Sequence, residues 1–174
     1  MARAAARPVH IRYEAPLDQP FEWVRTALLD GPEGWLPGLL ADAGASARTE
    51  LLFETQFAHI AREVTMHIGT PVTLDGRTSV SIEWEASVHP ERFPTLKGRL
   101  KARRVARKST ELALVATYAP PGGEAGMFAD RVLMHRVAEA TLKDFLTRVA
   151  RVVERNAWSQ AVSEHPGAIA GPED

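Results

Sequence analysis

The sequence contains no cysteine. That excludes disulfide staples, thiolate nucleophiles and any zinc or iron–sulfur site that needs a thiolate ligand. Charge of one sign is also missing in excess: 21 lysines and arginines stand against 22 aspartates and glutamates, a formal net charge of -1. A chain so balanced has no global electrostatic pull toward nucleic acid or an anionic membrane. No apolar run approaches the ~18 residues of a membrane helix. The arginine- and alanine-rich start, Met1 to His10, leads into no apolar core of the kind a secretory signal carries. What is present is ordinary: 174 residues, 45% apolar and 25% charged, the size and composition of one folded domain. The expectation is a cytoplasmic protein with a single domain over residues 1–158. A mobile tail is expected over 159–174, where Pro166, Gly167, Gly171 and Pro172 break any period.

The hydrophobic period changes twice along the chain. Val9, Ile11 and Tyr13 alternate with His10, Arg12 and Glu14, which predicts a half-buried strand. Asp18 reads as an N-cap, with Pro20 in the first turn of a helix carrying Phe21, Val24, Ala27 and Leu28, stopped by Gly31-Pro32. Trp35 to Leu40 reads as a short helix or turn, and Gly44 to Thr49 as a loop. From Leu51 to Ala119 the period is two. Leu51–Phe57, Arg62–Gly69, Thr78–Val88, Thr95–Val105 and Thr110–Ala119 are the strand candidates, with a turn at Asp75-Gly76. Trp84 shares its face with Val80, Ile82, Ala86 and Val88, while Glu83 and Glu85 take the other. Successive strands with short connections make an antiparallel meander. Beyond Pro120-Pro121-Gly122-Gly123 the spacing of Phe128, Val132, Leu142, Phe145, Val149 and Val152 predicts one long helix from about Gly126 to Asn156.

One strand, two short helical pieces, a meander and a long C-terminal helix form an order that resembles the START-like, or SRPBCC, superfamily. Phe93-Pro94-Thr95-Leu96-Lys97-Gly98 leading into a strand is similar to it locally. So is Tyr118-Ala119-Pro120-Pro121-Gly122-Gly123 leading into a helix with Asp130 and His135-Arg136-Val137-Ala138-Glu139. The likeness is to the polyketide cyclase/dehydrase and lipid-transport-like bacterial branch. The resemblance implies an α+β helix-grip fold, with an antiparallel sheet wrapped around the long helix and an apolar cavity between them. It implies a lipid, polyketide or other hydrophobic ligand, and it carries no catalytic signature onto particular residues.

Several constellations have a functional and a plainer reading. His135 and Glu139 lie four apart on one helix face, as a carboxylate-oriented base would; a surface ion pair is the commoner outcome of that spacing. His59 and His67 match no metal-binding spacing, so no metal is expected. Lys97, Arg99, Lys101 and Arg103 alternate on one strand face, continued by Arg104, Arg107 and Lys108. Glu83 and Glu85 on the preceding strand favour a solvated, carboxylate-paired face over a polyanion site, and no aromatic interleaves the run for base stacking. Gly122-Gly123-Glu124-Ala125-Gly126 matches no phosphate-loop fingerprint. The small inward residues Ala86, Gly98, Ala102 and Ala116 leave room either for a ligand or for a close-packed helix.

The lead reading is a domain that holds a hydrophobic or amphipathic small molecule in a pocket bounded by Met66, Trp84, Tyr118, Phe128 and His135. Tyr118 and His135 would supply the polar contacts. A polyketide cyclase- or aromatase-like enzyme using the same cavity is the alternative, and an interaction module with a filled cavity is a third. Catalytic residues are left unassigned. No cofactor is implied. The expected partner is a small molecule, not nucleic acid and not an integral membrane, with a homodimer as a further option.

Overall fold

The alternating stretches become strands and the 3.6-period stretches helices. Their order is β1 (Val9–Leu17), α1 (Phe21–Leu29), β2 (Ser46–Glu54), β3 (His59–Ile68), β4 (Val72–Leu74), β5 (Arg77–Ala86), β6 (Thr95–Ala106), β7 (Ser109–Ala119) and α2 (Ala129–Glu164). This computed structural model describes residues 9–36, 46–54, 59–88, 95–119 and 129–164. Every strand pairing is antiparallel. The sheet runs β1-β7-β6-β5-β3-β2, and the first half of β5 pairs with β4 while its second half pairs with β3. The architecture is the α+β helix grip: one face of the sheet is covered by α2, which touches β1, β2, β7 and α1.

Burial along β5 alternates as its sequence predicts. Thr78, Val80, Ile82, Trp84 and Ala86 are buried, and Glu83 and Glu85 are exposed. From the other side, α2 contributes Leu142, Phe145, Leu146, Val149 and Val153 to the same core. Trp84 meets Phe145 edge-on, with ring centroids 5.3 Å apart and planes at 71°, an arrangement favoured by the ring quadrupoles. The buried hydroxyls of Thr78 and Thr110 are satisfied, by Thr73 Oγ1 at 2.9 Å and by the Gln19 carbonyl at 2.8 Å. On the outer face Lys97 meets Glu83 at 2.9 Å and Arg103 meets Glu111 at 2.8 Å. Neighbouring strands thus pair part of the basic run with carboxylates.

Three local expectations are corrected. Asp18 does not cap α1. Pro20 occupies that position, and its carbonyl accepts from the Trp23 and Val24 amides. Of the short helix or turn expected over Trp35–Leu40, Pro37 to Leu40 lie outside the described residues; the 3-10 turn Pro32–Gly34 just before it delivers Trp35 and Leu36 into the core. Gly34 is required there because any Cβ would run into the Ala27 backbone carbonyl. The loop expected over Gly44–Thr49 is strand from Ser46 onward, because pairing with His67 to Val64 of β3 overrides the weak local preference of small polar residues. Finally, α2 continues past Asn156 to Glu164. The hydroxyls of Ser159 and Ser163 donate to the carbonyls of Arg155 and Ser159 at 3.1 and 2.9 Å, so the polar end stays on the helix. Residues 165–174 lie outside the described residues.

Candidate functional site

The strand register lines up three of the five residues expected to bound the pocket. Met66 of β3 is opposite Trp84 of β5, Trp84 is opposite Leu96 of β6, and Leu96 is opposite Tyr118 of β7. They form one row across the sheet, all on the face that α2 covers, with relative exposures of 0%, 4%, 3% and 3%. Val9 of β1 extends the row beside Tyr118. Phe128 lies outside the described residues. His135 is on α2, with its side chain outside the described residues as well.

At the β1–β7 end of this row the apolar wall acquires polar groups. Tyr13 of β1 is opposite Leu114, on the same face as Tyr118 and four residue pairs further along the strands. Its side chain is half-buried and donates a hydrogen bond to the Glu139 carboxylate of α2. Burial, and then the Glu139 charge and that hydrogen bond, push the Tyr13 phenol above its ordinary value. Burial and the same carboxylate also push the Tyr118 phenol upward. All three effects favour the neutral phenol, since a phenolate would be poorly solvated and would face a carboxylate. The helix therefore presents one half-buried carboxylate to two tyrosines, and the chain has only two.

Sequence reasoning marked Tyr13, Tyr118 and Glu139 separately but did not connect them. Glu139 stood out for its spacing from His135, a local signal. Its link to Tyr13 is set by where α2 crosses β1, which no spacing along the chain encodes.

The small inner-face residues have a specific cause at one position. Gly98 pairs with Ala116, and a Cβ on Gly98 would stand 2.9 Å from the Ala116 Cβ and 2.9 Å from the Val115 carbonyl oxygen. Strand crowding, rather than space for a ligand, selects glycine there. Next to Trp84 the interior is occupied by Phe145. An apolar cleft of about 210 Å³ lies elsewhere, between Leu28, Trp35, Ile68, Pro71 and Val80. Among the described residues no group of three or more acidic or histidine side chains is placed to hold a metal ion. None of the described helices is long and apolar enough to cross a membrane.

No family model and no curated protein matches the sequence. Solved structures do match its shape. A conserved protein from Geobacillus kaustophilus superposes with a TM-score of 0.56 at 14% identity, covering 84% of this chain and 96% of the other. A START superfamily protein from Mycobacterium smegmatis gives 0.50 at 12% identity, covering 87% and 98%. The chain has the START/SRPBCC fold. Truncated norcoclaurine synthase from Thalictrum flavum gives 0.51 at 12% identity, covering 89% and 96%. At such identities the likeness is one of START fold alone. Within that fold, the Trp84 row and the Tyr13–Glu139–Tyr118 group lie between the sheet and the long helix.

Proposed function

We propose that this START-fold domain binds a hydrophobic or amphipathic small molecule between the sheet and α2. The ligand lies against Met66, Trp84 and Tyr118, with Phe128 and His135 of the following segment completing the enclosure. The observation that carries this reading is the polar group on an otherwise apolar wall: Tyr13, Tyr118 and the Glu139 carboxylate beside the Trp84 row. A few convergent polar groups in apolar surroundings orient a greasy ligand, whose affinity comes from apolar area removed from water.

Binding is favoured over cyclase-like catalysis by the direction in which both phenols move. A general acid or base works best with a pKa near neutrality, and these two are pushed away from it. They serve as neutral hydrogen-bonding groups. Titration of the full chain with a long-chain fatty acid and with a polycyclic aromatic fluorophore tests the reading. The expected result is saturable binding in the micromolar range. Tyr118→Phe, which removes the phenolic hydroxyl at the end of the row without adding volume, should weaken fatty-acid binding several-fold while circular dichroism and the melting transition show a folded protein. If the folded variant binds as the parent does, the ligand lies elsewhere. If the parent binds no member of a broad hydrophobic panel, the interior is filled by side chains such as Phe145, and the interaction-module reading replaces this one.

A further inference from the structure

Along β5 and β6, away from the Trp84 row by roughly 23 Å of strand at ~3.3 Å per residue, a groove of about 540 Å³ opens between α1 and the β4–β5 turn. Four guanidinium groups line it, those of Arg25, Arg77, Arg103 and Arg104, against two carboxylates, Glu22 and Asp75. In a chain whose net charge is -1, this is a local concentration of positive charge.

The fold assembles the cluster from three separate stretches. Asp75 and Gly76 take positive φ values of 48° and 68°, the conformation of a tight hairpin turn, and so bring Arg77 alongside β6. The Arg104 amide donates to the Gly76 carbonyl at 3.3 Å. On α1, Glu22 holds two of the arginines at once: Oε2 accepts from Arg25 Nε at 2.8 Å and Oε1 from Arg104 Nη2 at 2.7 Å. The Arg104 guanidinium also lies over the Phe21 ring, 5.4 Å from its centroid. Each of the two ion pairs with Glu22 engages one nitrogen of a group that carries five N–H donors. Glu22 thereby orients two guanidinium groups and leaves most of their donors to other acceptors.

Arg77 is placed differently. It stands directly across from Arg103 in the β5–β6 register, and like charges in that position are destabilising. Arg103 has Glu111 as its partner; Arg77 forms no ion pair with the other described residues. An exposed arginine held opposite another, beside two more that a single glutamate aims, is a geometry that an anion completes.

We propose that this groove binds the phosphate group of a small phosphomonoester, whose dianion is held by Arg77 together with Arg25 and Arg104. Planar guanidinium forks match phosphate oxygens in bidentate fashion, and the groove is large enough for the organic part as well as the phosphate. The site is distinct from the one under α2 and does not depend on it. The same chemistry is offered by a free phosphoester and by a phospholipid headgroup.

The test uses the full chain at constant ionic strength. Glycerol 3-phosphate is titrated with glycerol as control, and co-sedimentation is measured with vesicles containing phosphatidic acid. Saturable binding of glycerol 3-phosphate at millimolar concentration or below is expected. Arg77→Gln should weaken it at least tenfold while raising the melting temperature of the unliganded protein, because the Arg77–Arg103 repulsion is gone. A purely structural arginine would not separate the two readouts in that way. Arg25→Gln should also weaken binding, and Arg99→Gln, on β6 outside the groove, should leave it unchanged. Recruitment to phosphatidic acid vesicles without free-ester binding, with the same dependence on Arg77, would assign the phosphate to a lipid headgroup. Absence of saturable binding to either probe, or binding that both Arg77→Gln and Arg25→Gln leave intact, overturns the proposal.

Discussion

The two tyrosines are the residues whose chemistry the fold alters most visibly. Burial and the Glu139 carboxylate hold both phenols above their ordinary value, and the chain has no other tyrosine to mask them. Tyrosinate absorbance of the folded protein should therefore show little ionisation near pH 10, where the denatured chain titrates normally. The sign of the linked stability effect follows. Below pH ~10 both states keep their phenolic protons and the contribution is complete; as pH rises further the unfolded chain releases them first, and stability falls until the folded phenols ionise too. Tyr13→Phe should remove much of that alkaline loss, since its phenol is the one bonded to Glu139. A folded protein whose two tyrosines both titrate normally would show that the group at α2 does not form. Trp84, by contrast, was legible from the sequence in every respect that mattered, because alternation with two flanking glutamates fixes its face. Glu139 was legible as a helix residue but not as a partner of Tyr13, since that contact joins the two ends of the fold.

At the scale of elements, strong periodicity translated directly. β5, β6 and β7 follow their alternating stretches to within a few residues, and Trp84 and its neighbours face the helix as the pattern requires. What failed was weakly patterned or short. β4 has three exposed residues, too few for a period, and exists because the Asp75-Gly76 turn folds it back on β5. The start of β2 is small and polar and becomes strand through its partner. The C-terminal extension of α2 is polar, and its serines bond along the helix instead of packing. Gly98 carries an element-level prediction. β6 and β7 approach closely at the Gly98–Ala116 pair, so Gly98→Ala would force the strands apart or distort the pair. A destabilisation of about 1–3 kcal/mol in denaturant unfolding is expected, with the alternation of buried residues preserved. A neutral result would mean the strands have slack there.

For the whole molecule, the charge balance sets an expectation about polyanions. The net charge is close to zero, and the long basic face of β6 is partly neutralised by Glu83 and Glu111. No tight complex with RNA is expected at physiological salt, as judged by electrophoretic mobility or anisotropy. Polyanion binding through the β6 face would appear as an affinity that drops steeply with added salt, and finding it would displace the small-molecule reading. The fold itself could be anticipated from the order and period of the elements; the occupant of the grip could not, because ligand identity rests on where side chains from distant elements converge. The pairing of β1 with β7, Val9 beside Tyr118, has a further consequence for how the chain reaches this state. β5, β6 and β7 pair with sequence neighbours across short connections, so their contacts are local. β1 has no strand partner until almost the entire sheet exists. During synthesis the first strand made must wait for the last, and its hydrogen-bonding edge stays open meanwhile. Closing the chain between β1 and β7 carries the largest loop-closure entropy of the strand pairings.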